Sequence, residues 1–123
     1  MFKKDLLQNK RILITGGGTG LGKEMASHFA EHGADLYICG RRENVLSETA
    51  AEISETYGTK VNYQTLDIRA SKDVNDYIEF IFEKGPLDGL VNNAGGNFIS
   101  PTSDLSHKGF DAIATIVFHG TFY

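Results

Sequence analysis

The chain has 123 residues, a formal net charge of −4 and one cysteine, Cys39. Hydrophobic residues make up 41% and charged residues 23%, a balance that predicts one globular domain over residues 1–123 and argues against disorder. The acidic balance excludes a general nucleic-acid-binding surface, the lone cysteine excludes a disulfide scaffold, and the lack of a long apolar run excludes a membrane-spanning helix. Because the charged start of the sequence has no secretory signal, a reducing, cytoplasmic location is expected.

Short apolar runs alternate with helical periodicities along the chain. Strands are predicted at Arg11–Thr15, whose apolar run indicates a buried strand, and at Asp35–Cys39, Val61–Leu66 and Leu87–Asn92. Apolar residues spaced three and four apart predict three intervening helices. The first contains Leu21, Met25, Ala26, Phe29 and Ala30, the second contains Leu46, Ala50, Ile53 and Tyr57, and the third contains Val74, Tyr77, Ile78, Ile81 and Phe82. Ser71 is expected to be the N-cap of the third helix. A loop to about Ser106 precedes a last predicted helix at Phe110–Phe118.

Strands that alternate with helices of this length form βαβ units, which predict a parallel sheet covered by helices on both faces. A doubly wound sheet has about six strands in two halves, and this chain supplies slightly more than the first half. The predicted fold class is therefore α/β, a doubly wound Rossmann-type parallel sheet truncated after about four strands.

A glycine-rich segment, Thr15–Gly22 (TGGGTGLG), lies between the first strand and the first helix. The N-terminus of a helix attracts a pyrophosphate. Gly16 permits a tight turn, Gly20 permits a close approach of the backbone to the phosphates, and Gly22 permits close packing of the helix on the strand. The predicted cofactor-binding residues of this loop are Gly16, Gly17, Gly18, Thr19, Gly20, Leu21 and Gly22. The alternative is a tight turn that binds no ligand.

The residues after the second strand predict which dinucleotide binds. A site for NAD usually has a carboxylate here, but the sequence has Arg41 and Arg42 after Gly40, and Asp35 lies at the other end of the strand. Because a guanidinium is suited to a 2′-phosphate, the pair favours NADPH. The alternative is that both arginines are solvated residues that lead into the next helix.

Three motifs together resemble the short-chain dehydrogenase/reductase family over almost the whole chain. They are the glycine loop, Asp67 after the third strand and Asn92–Gly95 (NNAG) after the fourth strand. The resemblance implies that the glycine loop holds the cofactor pyrophosphate and that Asp67, with its neighbour Ile68, contacts the adenine. It also implies that the NNAG segment, through Asn93, Ala94 and Gly95, supports the sheet and touches the cofactor.

Two further segments, Gly96–Leu105 and Ile116–Tyr123, resemble the 2,4-dienoyl-CoA reductase branch, in which a valine stands at the position of Val117. This narrower resemblance implies reduction of a dienoyl-CoA thioester by NADPH. Its implied residues are Asn97 as catalytic donor to the thioester oxygen, and Arg41, Arg69, Phe98 and Ser106 as acyl-CoA contacts. The alternatives are a loop-closing Asn97, a core Phe98, a solvated Arg69 and a helix-capping Ser106.

The family's Tyr-x-x-x-Lys pair lies later than this sequence reaches, so the 123-residue chain alone is expected to be inactive. An apolar edge strand and the exposed apolar residues Ile113, Ile116, Val117 and Phe118 predict a homo-oligomer. The four histidines have no carboxylate or cysteine at ligand spacing, so no metal is expected. The rival functions are an inactive nucleotide-binding or subunit-interaction fragment and a short-chain dehydrogenase that acts on a hydroxyl or ketone.

Overall fold

A computed structural model describes residues 2–97 and 99–123. The strands are β1 (Arg11–Thr15), β2 (Asp35–Gly40), β3 (Val61–Thr65) and β4 (Gly89–Val91). The helices are α1 (Gly20–Glu31), α2 (Glu43–Tyr57), α3 (Ser71–Glu83), α4 (His107–Ala114) and α5 (Gly120–Phe122). A π-helical turn at Thr115–His119 joins α4 to α5, and a 3-10 turn forms at Thr102–Asp104. In the part of the chain described, no helix is long and apolar enough to cross a bilayer.

The four strands form one parallel sheet in the order β3-β2-β1-β4. Ile14 of β1 lies opposite Ile38 of β2 on one side and Val91 of β4 on the other. All four strands therefore end at the same edge of the sheet, where the loops that follow them meet. The predicted α/β fold class is confirmed.

Helices cover both faces of the sheet, because alternate residues of each strand point to opposite faces. On one face, α1 and α2 pack against strand residues that include Ile12, Ile14, Leu36 and Ile38. On the other face, α3 packs against Leu13, Tyr37 and Cys39. β4 lies at the edge of the sheet, and its Leu90 is 54% exposed.

Several local predictions were wrong. The N-cap of α3 is Ala70, without a side-chain hydrogen bond, and Ser71 is the first helical residue. β4 is shorter than predicted and is confined to Gly89–Val91. Three residues assigned to apolar helix faces are exposed because they lie at helix ends. Leu21 lies in the first turn of α1 and is 77% exposed, Tyr57 is the last residue of α2 and is 39% exposed, and Phe82 lies in the last turn of α3 and is 52% exposed.

The last helix is longer than predicted. It begins at His107 because the Ser106 hydroxyl accepts a hydrogen bond from Gly109 N–H at 3.1 Å, which caps α4. It continues through the π-helical turn to Phe122. Val117 and Phe118 are exposed as predicted, whereas Ile113 and Ile116 are half-buried.

Candidate functional site

A cleft of about 280 Å³ opens where the carboxyl ends of the strands meet. Four segments form it: the loop after β1, the segment from the end of β2 to the start of α2, the loop after β3 and the loop after β4. Ile116, in the π-helical turn of the last helix, completes its wall. The lining residues are Gly16, Gly18, Thr19, Gly40, Arg41, Arg42, Val45, Leu46, Leu66, Asp67, Ile68, Arg69, Asn93, Ala94, Gly95 and Ile116.

The glycine-rich segment after β1 leaves no room for a side chain at Gly17 and Gly22. A Cβ on Gly22 would lie 2.2 Å from the carbonyl oxygen of Gly16, and a Cβ on Gly17 would lie 2.6 Å from Cγ2 of Ile38. Gly16 also has a positive φ of 68°, which a residue with a side chain adopts only at a cost. The backbone of the loop therefore lies directly on the sheet and on α1, and it forms one wall of the cleft.

Thr15 and Asn93 tie the loop after β1 to the loop after β4. The Thr15 hydroxyl accepts hydrogen bonds from the backbone N–H groups of Asn93 at 3.0 Å and Ala94 at 2.9 Å. The Asn93 side-chain amide donates to the backbone carbonyls of Thr15 at 3.0 Å and Gly16 at 3.3 Å. These bonds fix the two loops relative to each other and so set the shape of the cleft between them.

The cleft carries several cationic side chains. Arg41 and Arg42 follow β2 and are exposed at the cleft, while Asp35 lies at the opposite end of that strand. Across the cleft, Asp67 is held by Arg69: Nε of Arg69 lies 2.9 Å from Oδ1 and 3.0 Å from Oδ2 of Asp67. The Arg69 hydrogen bonds, with a smaller contribution from the charge of Arg41, lower the pKa of Asp67 below its usual value.

A family model described as short chain dehydrogenase matches residues 10–123. The chain belongs to the short-chain dehydrogenase family. A probable 2,4-dienoyl-CoA reductase of Bacillus subtilis is 40% identical over 95% of this chain and 46% of its own length. A peroxisomal 2,4-dienoyl-CoA reductase of Arabidopsis thaliana is 39% identical over 98% of this chain and 41% of its own length.

Solved structures of short-chain dehydrogenases have the same fold. One from Bacillus anthracis superposes with a TM-score of 0.85 at 44% identity, covering 93% of this chain and 47% of that one. One from Escherichia coli, solved in complex with NADPH, superposes with a TM-score of 0.91 at 31% identity, covering 98% and 52%. The chain spans less than half the length of the curated relatives it matches.

In this member of the family, the fold brings most of the predicted cofactor and substrate residues to one cleft. Those that line it are Gly16, Gly18, Thr19, Arg41, Arg42, Asp67, Ile68, Arg69, Asn93, Ala94 and Gly95. Gly17, Gly20, Leu21 and Gly22 belong to the same loop and helix start but do not line the cleft. Their roles in binding, like those of the lining residues, stay predictions.

The predicted substrate residues are more scattered. Asn97 lies exposed in the loop after β4 and does not line the cleft. Ser106 is the N-cap of α4, which was its alternative interpretation, and a contact of its hydroxyl with substrate stays a prediction. Phe98 lies outside the described residues, so its predicted contact with the acyl chain also stays a prediction.

The sequence analysis missed two hydroxyl groups that shape the cleft. One is Thr15, which ties the two loops together. The other is Thr49 of α2, which is 3% exposed and donates a hydrogen bond of 2.8 Å to the carbonyl of Gly18. A signal for Thr49 was present, since it lies three residues after Leu46 and four before Ile53 on the buried stripe of α2.

The remaining chemically reactive side chains lie apart from the cleft. Cys39 is fully buried, and burial raises the pKa of its thiol to about 12, so it is unreactive at neutral pH. Although no carboxylate was predicted at ligand spacing from a histidine, His28 lies 3.3 Å from Glu24 and 3.4 Å from Glu31 along α1. Among residues 2–97 and 99–123, no three His, Cys, Asp or Glu side chains cluster as metal ligands do.

Proposed function

We propose that the protein is an NADPH-dependent reductase that reduces 2,4-dienoyl-CoA thioesters. The observation that carries the proposal is its similarity of about 40% identity, over almost the whole chain, to relatives named 2,4-dienoyl-CoA reductases. Because the chain covers less than half of those relatives, the proposal concerns the full-length protein.

The residues of the cleft fit a dinucleotide. Gly17 and Gly22 leave no room for a Cβ, so the loop backbone packs closely on the sheet and on α1. Gly16, Gly18 and Thr19 of that loop line the cleft at the N-terminus of α1, which favours an anion such as a pyrophosphate. Asp67 carries a lowered pKa, so it is an ionised acceptor available to the adenine amino group. These features support binding of the adenosine and pyrophosphate parts of the cofactor.

Arg41 and Arg42 support a preference for NADPH over NADH. Both line the cleft directly after β2, where a carboxylate would select the 2′-hydroxyl of NAD. No carboxylate follows the strand in the sequence before Glu43, the first residue of α2. A guanidinium there offers paired N–H donors to a 2′-phosphate.

NADPH, when bound, would supply a hydride to the conjugated thioester, and a proton taken up from solvent would complete the reduction to an enoyl thioester. The protein's part is to hold the acyl-CoA and to stabilise the negative charge that develops on the thioester oxygen. In this proposal the Asn97 amide donates a hydrogen bond to that oxygen, Phe98 and Ser106 contact the acyl thioester, and Arg41 contacts both the cofactor and CoA.

Arg69 has two partners in this proposal. Its guanidinium is bonded to Asp67, and it lines the cleft beside Ile68. A phosphate of coenzyme A therefore competes with the Asp67 carboxylate for the same N–H donors. Because the pair is exposed to solvent, which screens its attraction, its separation costs little.

The test is reduction of a 2,4-dienoyl-CoA by the full-length protein, followed through the loss of NADPH absorbance. The proposal expects NADPH oxidation that depends on the dienoyl thioester and is much slower with NADH. A panel of hydroxyl and ketone compounds, assayed in the same way, distinguishes this reductase activity from the alternative dehydrogenase activity. Turnover only on that panel would contradict the proposed substrate class, and no turnover on any compound would favour an inactive nucleotide-binding protein.

A further inference from the structure

Thr49 is a buried hydroxyl in an apolar surrounding. It lies on the stripe of α2 that packs on the sheet, together with Leu46, Ala50 and Ile53, and it is 3% exposed. A hydroxyl in such a position is stabilised only when it is hydrogen-bonded. Its partner is the backbone carbonyl of Gly18, 2.8 Å away and 31 residues earlier in the chain.

The bond joins α2 to the glycine loop at a defined peptide group. Gly18 is buried, and a Cβ on it would lie 3.2 Å from Cδ2 of Leu46 and 3.3 Å from Cγ1 of Val45, so the loop rests on the start of α2. In a trans peptide the N–H of the next residue points away from the carbonyl. When Thr49 holds the Gly18 carbonyl toward α2, it also sets the direction of the Thr19 N–H.

Thr19 lies where a phosphate is expected to bind. It is the N-cap of α1, lines the cleft and has no side-chain capping bond. Within residues 2–97 and 99–123, its backbone N–H donates to no backbone carbonyl. That N–H therefore belongs to the group of donors that a helix N-terminus presents to an anion.

We infer that Thr49 is a positioning residue for cofactor binding: its hydroxyl fixes the Gly18–Thr19 peptide so that Thr19 N–H is presented to the cofactor pyrophosphate. The inference rests on the proposed binding of NADPH and adds a residue that lies outside the cleft. Thr49 contacts no ligand itself, and its effect passes through the peptide group that it holds.

The test compares three variants of the purified protein. Thr49→Val keeps the shape but removes the hydroxyl, and Thr49→Ser restores the hydroxyl. Thr56→Val is the matched control, because the Thr56 hydroxyl also donates to a backbone carbonyl, that of Glu52 at 2.7 Å, but within α2 and not to the glycine loop. Dissociation constants are measured for NADPH and for adenosine 2′-monophosphate, which carries the adenine and 2′-phosphate but no pyrophosphate.

Loss of one neutral hydrogen bond corresponds to about a fivefold change in affinity. We expect Thr49→Val to weaken NADPH by about this factor, and Thr49→Ser to remain within about twofold of the wild type. Thr56→Val should not change NADPH binding. The affinity for adenosine 2′-monophosphate should be the same in all variants, since the pyrophosphate contact is the one affected.

Two results would overturn the inference while the proposed function stands. One is wild-type affinity for NADPH in Thr49→Val, whether or not its melting temperature falls. The other is an equal loss for both ligands, which would indicate a general disturbance of the cleft. Failure of the wild type itself to bind NADPH would overturn the proposed cofactor and this inference together.

Discussion

Asn93 donates two hydrogen bonds to Thr15, although 78 residues separate them. The Asn93 backbone N–H donates to the Thr15 hydroxyl at 3.0 Å, and the Asn93 side-chain amide donates to the Thr15 carbonyl at 3.0 Å. The pair joins the ends of the adjacent strands β1 and β4. The two loops that leave these strands therefore keep a fixed separation, which is the width of the cleft at that point.

Removing the Thr15 hydroxyl should destabilise the protein. Thr15 is 8% exposed and accepts from both Asn93 and Ala94. Thr15→Val therefore leaves the Ala94 N–H without its partner, and it leaves the Asn93 N–H with only the Val91 carbonyl, 3.0 Å away. We expect a loss of about 2 kcal/mol in the free energy of unfolding, measured by urea denaturation. The control is Thr65→Val at the exposed end of β3, which should change stability by less than about 0.5 kcal/mol. Equal effects of the two substitutions would contradict the role given to Thr15.

Gly22→Ala should damage both folding and cofactor binding. The added Cβ would lie 2.2 Å from the Gly16 carbonyl oxygen and 2.6 Å from Nδ2 of Asn93, so α1 must shift away from the loop. Overpacking of this kind costs about 1–3 kcal/mol. Gly89→Ala is the matched control, because its Cβ would make an ordinary contact of 3.5 Å with Ile12. A Gly22→Ala protein with wild-type stability and NADPH affinity would contradict the close packing described.

The ion pair of Asp67 and Arg69 predicts a pH dependence. Since the pKa of Asp67 is lowered from 3.8 in the folded protein, the pair's contribution to stability is complete above that value and is lost as the pH falls through the lowered pKa. Arg69→Gln should return the pKa of Asp67 toward 3.8, measured by NMR titration of its carboxyl carbon. Lys72→Gln, which removes a separate pair with Asp76, should leave the Asp67 titration unchanged. An Asp67 that titrates alike with and without Arg69 would show that the pair does not form in solution.

Exposed apolar side chains on the last helix predict self-association, as the sequence did. Phe118 is 74% exposed and Phe122 is 85% exposed. Contiguous apolar surface of this kind is typical of interaction sites. Light scattering should give a mass above that of the monomer, which Phe118→Gln lowers and Phe82→Gln on α3 does not. A wild-type protein that stays monomeric at all concentrations would contradict the prediction.

The sequence predicted the sheet and the location of the cleft well because both depend on strong local signals. β1 and β2 are short apolar runs followed by glycine, and the turns at Gly16 and Gly58 have positive φ values that only glycine adopts easily. Parallel strands then bring their carboxyl ends together, so residues as distant as Gly16 and Asn93 meet.

Features that depend on tertiary contacts were not predictable in this way. The length of β4 is limited by its pairing with three residues of β1, which its apolar sequence does not reveal. Side-chain partners likewise depend on the folded structure. Examples are the ion pair of Asp67 with Arg69 and the hydrogen bond from Thr49 to Gly18. Leu21 repeats the apolar spacing of α1 but lies at its exposed start, where periodicity carries no information about burial.

The central claim of the proposed function is that the cleft selects NADPH. A fluorescence titration of the purified protein with NADPH and with NADH tests it most directly. We predict tighter binding of NADPH, by about tenfold or more if Arg41 and Arg42 make charge-assisted hydrogen bonds to the 2′-phosphate. The double variant Arg41→Gln, Arg42→Gln should lose that preference and keep its affinity for NADH, while Lys60→Gln, an exposed cation beside β3, should change neither. Equal affinity of the wild type for the two cofactors, or no binding of either, would contradict the claim.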